Sequence, residues 1–388
     1  MVEAEPVEYV RVCDAYGSGF FFIPGTETCI RFGGFVRSSY EKTSIEFDDG
    51  TEQDLAFWGQ RARLNVDVRS ETDWGTLRAL YRLEGGDSNT DVDIDMDIAL
   101  ISLAGFRAGF AGANYWSTNH GFAGVNLTGL GSTFGAAQDD GYYGFNDATI
   151  FDYTFAADGF SVTVGVEDPR IDYAGLGFVG STFSGGLGGT GIPALALAPQ
   201  ASSDTRANFY AGFNYSADFG SVAFTAVRDG TAVDSAALAA GIVDQGGWAY
   251  KVSLSLDLSE FIPGGILYGS YANDGDYITN YVHTNGAGID DAETIWQISF
   301  QADLTDELQL VAQHSNATGS DWGLLAGVGE EEQQATSIGL NWFPAAAPQF
   351  SLRASYTFGD VENAVGAVNG PAGNYDFDSF FVGVRRDF

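Results

Sequence analysis

Arginine is the residue type whose placement could do chemistry in this chain. Arg31 and Arg37, then Arg61, Arg63 and Arg69, then Arg78 and Arg82, recur at even spacings within three successive segments, and Arg107 follows. A β-strand sends every second side chain to the same face, so each group projects from one side of its segment. Guanidiniums lining a water-filled interior would create a transverse field and draw anions; the plainer reading is that they pair with inward acids. Asp93, Asp95 and Asp97, preceded by Asp91, also recur at a spacing of two. If Glu84 and Asp91 flank a hairpin loop, Arg82 faces Asp93 and Arg78 faces Asp97, as cross-strand pairs contributing about 0.2–1 kcal/mol each. A calcium loop instead gathers oxygens within about 2.3–2.6 Å of one ion and turns on a Gly. Alternate strand residues lie about 6.6–6.8 Å apart, and no Gly interrupts this run. The aspartates are therefore expected to line the interior opposite arginines, and no metal is assigned to them.

Other chemistry is thin. The three histidines, His120, His283 and His314, form no H-E-x-x-H spacing, and no G-x-S-x-G or Walker loop is present. His314 and Ser315 are adjacent, so on a strand they point to opposite faces. No enzymatic activity and no cofactor are expected. The acidic loops at Glu46–Asp54 and Glu330–Glu332 are better placed to meet divalent cations, although such charge runs are ordinarily solvated. Cys13 and Cys29 are the only cysteines. Their even number suits a disulfide in an oxidising compartment, with two free thiols as the alternative; the bridge is the expectation.

The elements that must position these arginines are strands. Trp58, Ala62, Leu64, Val66 and Val68 alternate with Arg61, Arg63, Asn65, Asp67 and Arg69, and Val92, Ile94, Met96 and Ile98 alternate with the aspartates. Trp248, Tyr250, Val252 and Leu254 alternate with Lys251, Ser253 and Ser255; Phe350, Leu352, Ala354, Tyr356 and Phe358 alternate with Ser351, Arg353, Ser355 and Thr357. About sixteen such segments follow one another. Tight connections (Glu71–Trp74, Leu103–Gly105, Ala157–Gly159, Asp218–Gly220) alternate with long ones (Ala113–Phe145, Asp168–Arg206, Thr231–Gly246, Asp274–Asp290, Ser320–Glu332). This rhythm predicts an all-β chain: a transmembrane antiparallel up-and-down β-barrel, a single unit over 1–388, with short periplasmic turns and long extracellular loops. Trp58, Trp248, Trp296 and Trp342 fall on the apolar face near strand ends, as interfacial girdles do.

Composition agrees. No apolar run reaches the about 18 residues of a membrane helix, but a spanning strand needs only about 9–11 residues with alternate ones apolar. The net charge of −35 excludes nucleic acid as a partner, because phosphates would be repelled. It also favours cations at the mouths of such a barrel, against the anions that inward arginines would draw, and with an open interior the expected balance is a cation preference. Met1 is followed by an acidic stretch with neither a basic region nor an apolar run, so this chain reads as a mature form without a signal peptide.

Val7-Glu-Tyr-Val-Arg-Val-Cys-Asp-Ala-Tyr-Gly, then Phe22-Ile-Pro-Gly-Thr-Glu-Thr-Cys29 and Arg31-Phe-Gly-Gly-Phe-Val-Arg37, closely resemble the start of the alphaproteobacterial porin family. That resemblance implies a sixteen-stranded barrel in the outer membrane of a Gram-negative bacterium, a homotrimer amid lipid and lipopolysaccharide. It also implies passive passage of small hydrophilic solutes, a substrate-selective channel or an adhesive barrel being the alternatives. It implies further that the third long loop, 113–145, folds into the pore and narrows it. Asn114, Tyr115, Trp116, Asn119, His120, Asp139 and Asp140 are its candidate constriction residues. Residues 1–27 stand apart as an N-terminal segment. The chain ends on an alternating segment, Tyr375–Phe388, whose Ser379, Gly383 and Arg385 are expected to face the interior. Its terminal Phe388 resembles the signal read by outer-membrane assembly machinery.

Overall fold

The computed structural model describes residues 11–88, 92–111, 148–167, 207–228, 248–274, 294–319, 331–364 and 373–388. A one-turn 3₁₀ helix (Asp14–Tyr16) and a two-residue strand, β1 (Phe21–Phe22), precede the barrel. Then come β2 (Cys29–Phe47), β3 (Glu52–Thr72), β4 (Gly75–Ser88) and β5 (Val92–Leu103). These are followed by β6 (Phe106–Ala111), β7 (Ala148–Ala157), β8 (Phe160–Glu167) and β9 (Asn208–Ala217). The second half holds β10 (Gly220–Arg228), β11 (Trp248–Asp257), β12 (Ile266–Asp274) and β13 (Thr294–Asp303). Last are β14 (Leu308–Gly319), β15 (Glu331–Trp342), β16 (Phe350–Ala364) and β17 (Gly373–Asp387). From β2 onward each strand pairs antiparallel with its chain neighbour, and β17 pairs back onto β2, so the sixteen close into a ring without a free edge.

The closing seam runs to the last residue. Phe388 and Gly34 exchange both backbone hydrogen bonds at 3.0 Å. A Cβ on Gly34 would collide with the Arg63 carbonyl oxygen at 1.9 Å and crowd the Phe388 ring at 3.1 Å, so only glycine admits that ring. Two of the tight turns, Ala104-Gly105 and Asp158-Gly159, have positive φ at both residues. This is the mirror-image turn whose twist matches the flanking strands. Asp-Gly advertises such a turn in sequence; Ala-Gly does not.

The faces are distributed as a bilayer demands. In β11, Trp248, Tyr250, Val252 and Leu254 are exposed while Lys251, Ser253 and Ser255 are buried; β16 and β17 repeat the pattern. A soluble barrel would bury the apolar set. Polar side chains inside and aromatic and aliphatic ones outside suit lipid, with every strand's backbone bonds satisfied by neighbours. Aromatic pairs mark two levels: Tyr40 with Trp58 at 4.7 Å toward the long-loop end, and Phe106 with Tyr153 at 4.7 Å toward the tight turns. Trp58, Trp248 and Trp342 are exposed on the outside, whereas Trp296 is half-buried against His314.

Two expectations are corrected. Glu46–Asp54 is not a loop: Glu46 lies within β2, which ends at Phe47, Glu52 begins β3, and only a tight turn at 48–51 joins them. These strands run 19 and 21 residues, well beyond the length that spans a bilayer, and past the membrane their alternation inverts. Ile45, Phe47, Val361, Tyr375 and Phe377 are buried together there, while Glu46, Glu52, Asp54, Asp376 and Asp378 are exposed. Outside hydrocarbon the outer face is wet, so charge moves outward. The second correction concerns β4 and β5. Gly85-Gly86-Asp87 continues β4 instead of forming a loop, so Asp87 pairs with Val92 and Glu84 with Asp95. A register shift beside Arg82 then sets Arg82 against Ile98 and Arg78 against Ser102, not against Asp93 and Asp97. The bulge also turns Ile98 inward, where it is buried.

Candidate functional site

Five of the seven inward arginines of β2 to β4 fall into two clusters, each around one carboxylate. Asp67, on β3, is only 2% exposed. Arg69 grips it with Nε at 3.1 Å and Nη2 at 2.8 Å. Arg78 does the same from β4 at 2.9 and 3.0 Å. Arg31 adds Nη2 at 3.6 Å from β2. The residue types follow from the geometry: planar guanidiniums meet a carboxylate through two parallel bonds, and Asp67 lies beside Arg69 on the same face of one strand. In the second cluster Glu84 of β4 receives Arg61 and Arg63, one on each oxygen. Five guanidiniums thus share two carboxylates, leaving a local excess of positive charge.

Around the ring, Arg107 of β6 holds Asp152 of β7 bidentately, at 2.9 and 2.5 Å. Tyr210 of β9 donates its hydroxyl to the same carboxylate at 2.7 Å. It reaches across β8 because residue 165 is glycine: a Cβ there would lie 2.6 Å from the Tyr210 ring and 2.5 Å from the Asp152 Cβ. Arg82 donates to Asn65 at 2.8 Å. Arg37 stands between Arg385 and Arg61 in the ladder. Arg385 is bound to Asp387 at 2.6 Å and stacked over Phe35 at 4.1 Å, and the buried Arg353 of β16 faces inward near it.

From β10 to β15 the inner face is different. Thr225, Ser253, Ser255, Ser270, Gln297, Ser299, Gln313, Ser337 and Asn341 are buried there, and among the buried, described residues of this face Lys251 is the charged one. Hydroxyls and amides bond across strands, as in Ser337 with Thr357 at 2.7 Å. Ser379 of β17 is likewise buried, donating to Glu41 at 2.7 Å.

The structure brings Arg31, Arg61, Arg63, Arg78, Arg82 and Arg107 to the inner face, with Arg37 in the same ladder. The side chains of Asp93, Asp95 and Asp97 lie outside the described residues, as do Asn114, Tyr115, Trp116, Asn119, His120, Asp139, Asp140 and the whole of 113–145. Cys13 and Cys29 are joined in a disulfide with Cα atoms 6.1 Å apart. His314 stacks edge-on to Trp296 while Ser315 is buried on the other face, so the two form no catalytic pair. Sequence reasoning did not single out Asp67, Glu84, Asp152 or Tyr210. Asp67 and Glu84 were detectable as acids interleaved with arginines at even spacing; Tyr210 left no signal beyond a glycine on the neighbouring strand.

On the outer rim, Ser44 donates to Asp54 at 2.7 Å, and Lys42 meets the same carboxylate at 3.2 Å. Hydrogen bonds from Thr51 hold the Asp49 carboxyl below the usual range. Among the described residues no three carboxylates, histidines or cysteines converge as a metal site.

A closed sixteen-stranded barrel with a lipid-facing exterior and a charged, polar interior belongs to the outer-membrane β-barrel class. A family model described as "Porin subfamily" matches residues 1–384: the chain belongs to the porin subfamily, a family of outer-membrane proteins and not of enzymes. It is 34% identical over 218 residues to porin Omp2a of Brucella melitensis, covering 48% of this chain and 56% of that protein. It is 40% identical over 108 residues to outer membrane protein IIIA of Rhizobium leguminosarum bv. viciae, covering 28% and 29%. These matches thus span between about a third and about half of the relatives' lengths. The fold resembles that of the outer-membrane channel DcaP of Acinetobacter baumannii, with a TM-score of 0.59, 14% identity, and 95% and 99% of the two chains covered. The protein resides in the outer membrane of a Gram-negative bacterium.

Proposed function

We propose that the chain forms a water-filled channel for passive diffusion of small hydrophilic solutes and ions, assembling as a homotrimer. The observation that carries this reading is the asymmetry of the interior: on β2–β4 the inward guanidiniums of Arg31, Arg37, Arg61, Arg63, Arg69, Arg78 and Arg82 outnumber the inward carboxylates of Glu41, Asp67, Glu71 and Glu84, and hydroxyls and amides face them from β10–β15. Such an arrangement creates a transverse field that orients dipolar solutes and separates the paths of cations and anions. The third long loop, 113–145, would supply the waist, with Asp139 and Asp140 facing the arginines. The acidic outer rim concentrates cations at the mouth, and the arginine wall moderates the resulting cation preference. Asp93, Asp95 and Asp97 belong to the same wall in this reading. Single-channel recording in planar bilayers tests it. Stepwise conductance with a zero-current potential of cation sign in a salt gradient is expected. An absence of conductance would support an adhesive barrel, and block by one solute at low concentration a substrate-selective channel.

A further inference from the structure

The N-terminal segment is folded inward, and it holds part of the arginine wall. Cys29 pairs with Arg69 in the β2–β3 ladder, and Arg69 pairs with Arg78 in the next, so all three project to the same inner face. The bridge from Cys29 to Cys13 therefore holds Cys13, and Phe20 packed against both cysteines, on the interior side of β2 and β3, while β1 lies edge to edge with β2. Secondary contacts fix them there: Phe21 and Phe22 pair with Ile30 and Cys29, and Val12 bridges to Phe21. Tyr16 donates its hydroxyl to Glu71 at 2.9 Å, beside the tight turn that joins β3 and β4. Phe20 is the apex of this fold. It is 1% exposed and packs with both cysteines.

The Phe20 ring is covered by two guanidiniums of the Asp67 cluster, Arg31 at 4.8 Å and Arg69 at 5.0 Å from its centroid. Tyr16 meets the ring edge-on at 5.8 Å and lies 5.7 Å from Arg69. The stem of Arg31 also lies 3.4 Å from where a Cβ on Gly19 would stand, at a position with φ of +86°. Asp67 fixes these guanidiniums from one side and an aromatic face fixes them from the other.

We propose that Phe20 is a positioning residue for ion selection: the disulfide-closed segment presses its ring against Arg31 and Arg69, confines them on Asp67, and lowers their exposure to permeating ions at the tight-turn mouth. The inference rests on the channel reading above. Removing the ring, or the bridge that places it, frees two guanidiniums toward the lumen. The anion-to-cation permeability ratio then rises by roughly twofold or more.

The test uses the full chain refolded in detergent, with closure of the barrel checked by its heat-dependent gel migration. Zero-current potentials in a potassium chloride gradient are compared for the unaltered protein, Phe20→Ala, Phe20→Trp, Cys13→Ala with Cys29→Ala, and Arg69→Gln. The expected result is a shift toward anions in Phe20→Ala and in the double cysteine variant, with Phe20→Trp close to the parent. Arg69→Gln shifts the opposite way. If Arg69→Gln shifts the potential while Phe20→Ala and the cysteine variant match the parent, the positioning role is overturned and the arginine wall stands. If Arg69→Gln also matches the parent, the wall itself fails as the selective element. Should Phe20→Ala not close its barrel, the cysteine variant decides alone.

Discussion

The two sides of the barrel interior share one backbone plan and differ in chemistry. On β2–β4 and β6–β7, arginines converge on the buried carboxylates Asp67, Glu84 and Asp152. On β10–β15, hydroxyls and amides bond to one another and are as deeply buried. The first side derives its order from charge, and its members cannot be altered singly. Removing one carboxylate leaves several like charges together, whereas removing one hydroxyl leaves a single unmet partner. The field across the lumen needs both sides, because a wall of positive charge faced by another would have no direction.

The contrast predicts a graded response. Asp67→Asn is expected to have the largest effect, a loss of about 3 kcal/mol with a shift toward anions, read from urea midpoints and zero-current potentials. Equal stability would show that the guanidiniums find other partners. Arg61→Gln with Arg63→Gln leaves Glu84 unneutralised and is expected to move the permeability ratio toward cations by roughly two- to threefold. This shift should shrink as salt is raised and exposed charges are screened. Gly165→Ala drives a methyl into the contact between Asp152 and Tyr210. It should cost about 1–3 kcal/mol by overpacking, with a small selectivity change because Arg107 keeps its carboxylate. Ser337→Ala should be mildest: it loses the bond to Thr357, about 1 kcal/mol, and leaves the zero-current potential unchanged. A selectivity shift in Ser337→Ala equal to that of the arginine variants would erase the distinction between the two sides.

Much of this was legible beforehand. Alternation placed Arg31, Arg61, Arg63, Arg78 and Arg82 on the inner face and Trp58, Trp248 and Trp342 on the outer one, because the period of a strand is fixed by its geometry. The pairing of those arginines was not. It depends on register, and the register of β4 with β5 was misjudged because two glycines that read as a loop continue the strand. A register shift beside Arg82 then displaced the remaining pairs. Nor does alternation announce that the outer face turns acidic at Glu46, Asp376 and Asp378, since it counts faces without knowing where the membrane ends.

By itself the sequence determined the strands, their approximate number and, away from the bulge at Ile98, the face that the side chains take, all consequences of local periodicity and turn chemistry. Only the tertiary structure decided which acid each arginine meets, that Phe388 seals the ring against Gly34, and that Cys13 draws Phe20 beneath Arg31 and Arg69. These depend on contacts between residues distant in the chain. Such contacts are fixed by ring closure, by register and by one covalent bridge, none of which leaves a periodic trace in the sequence.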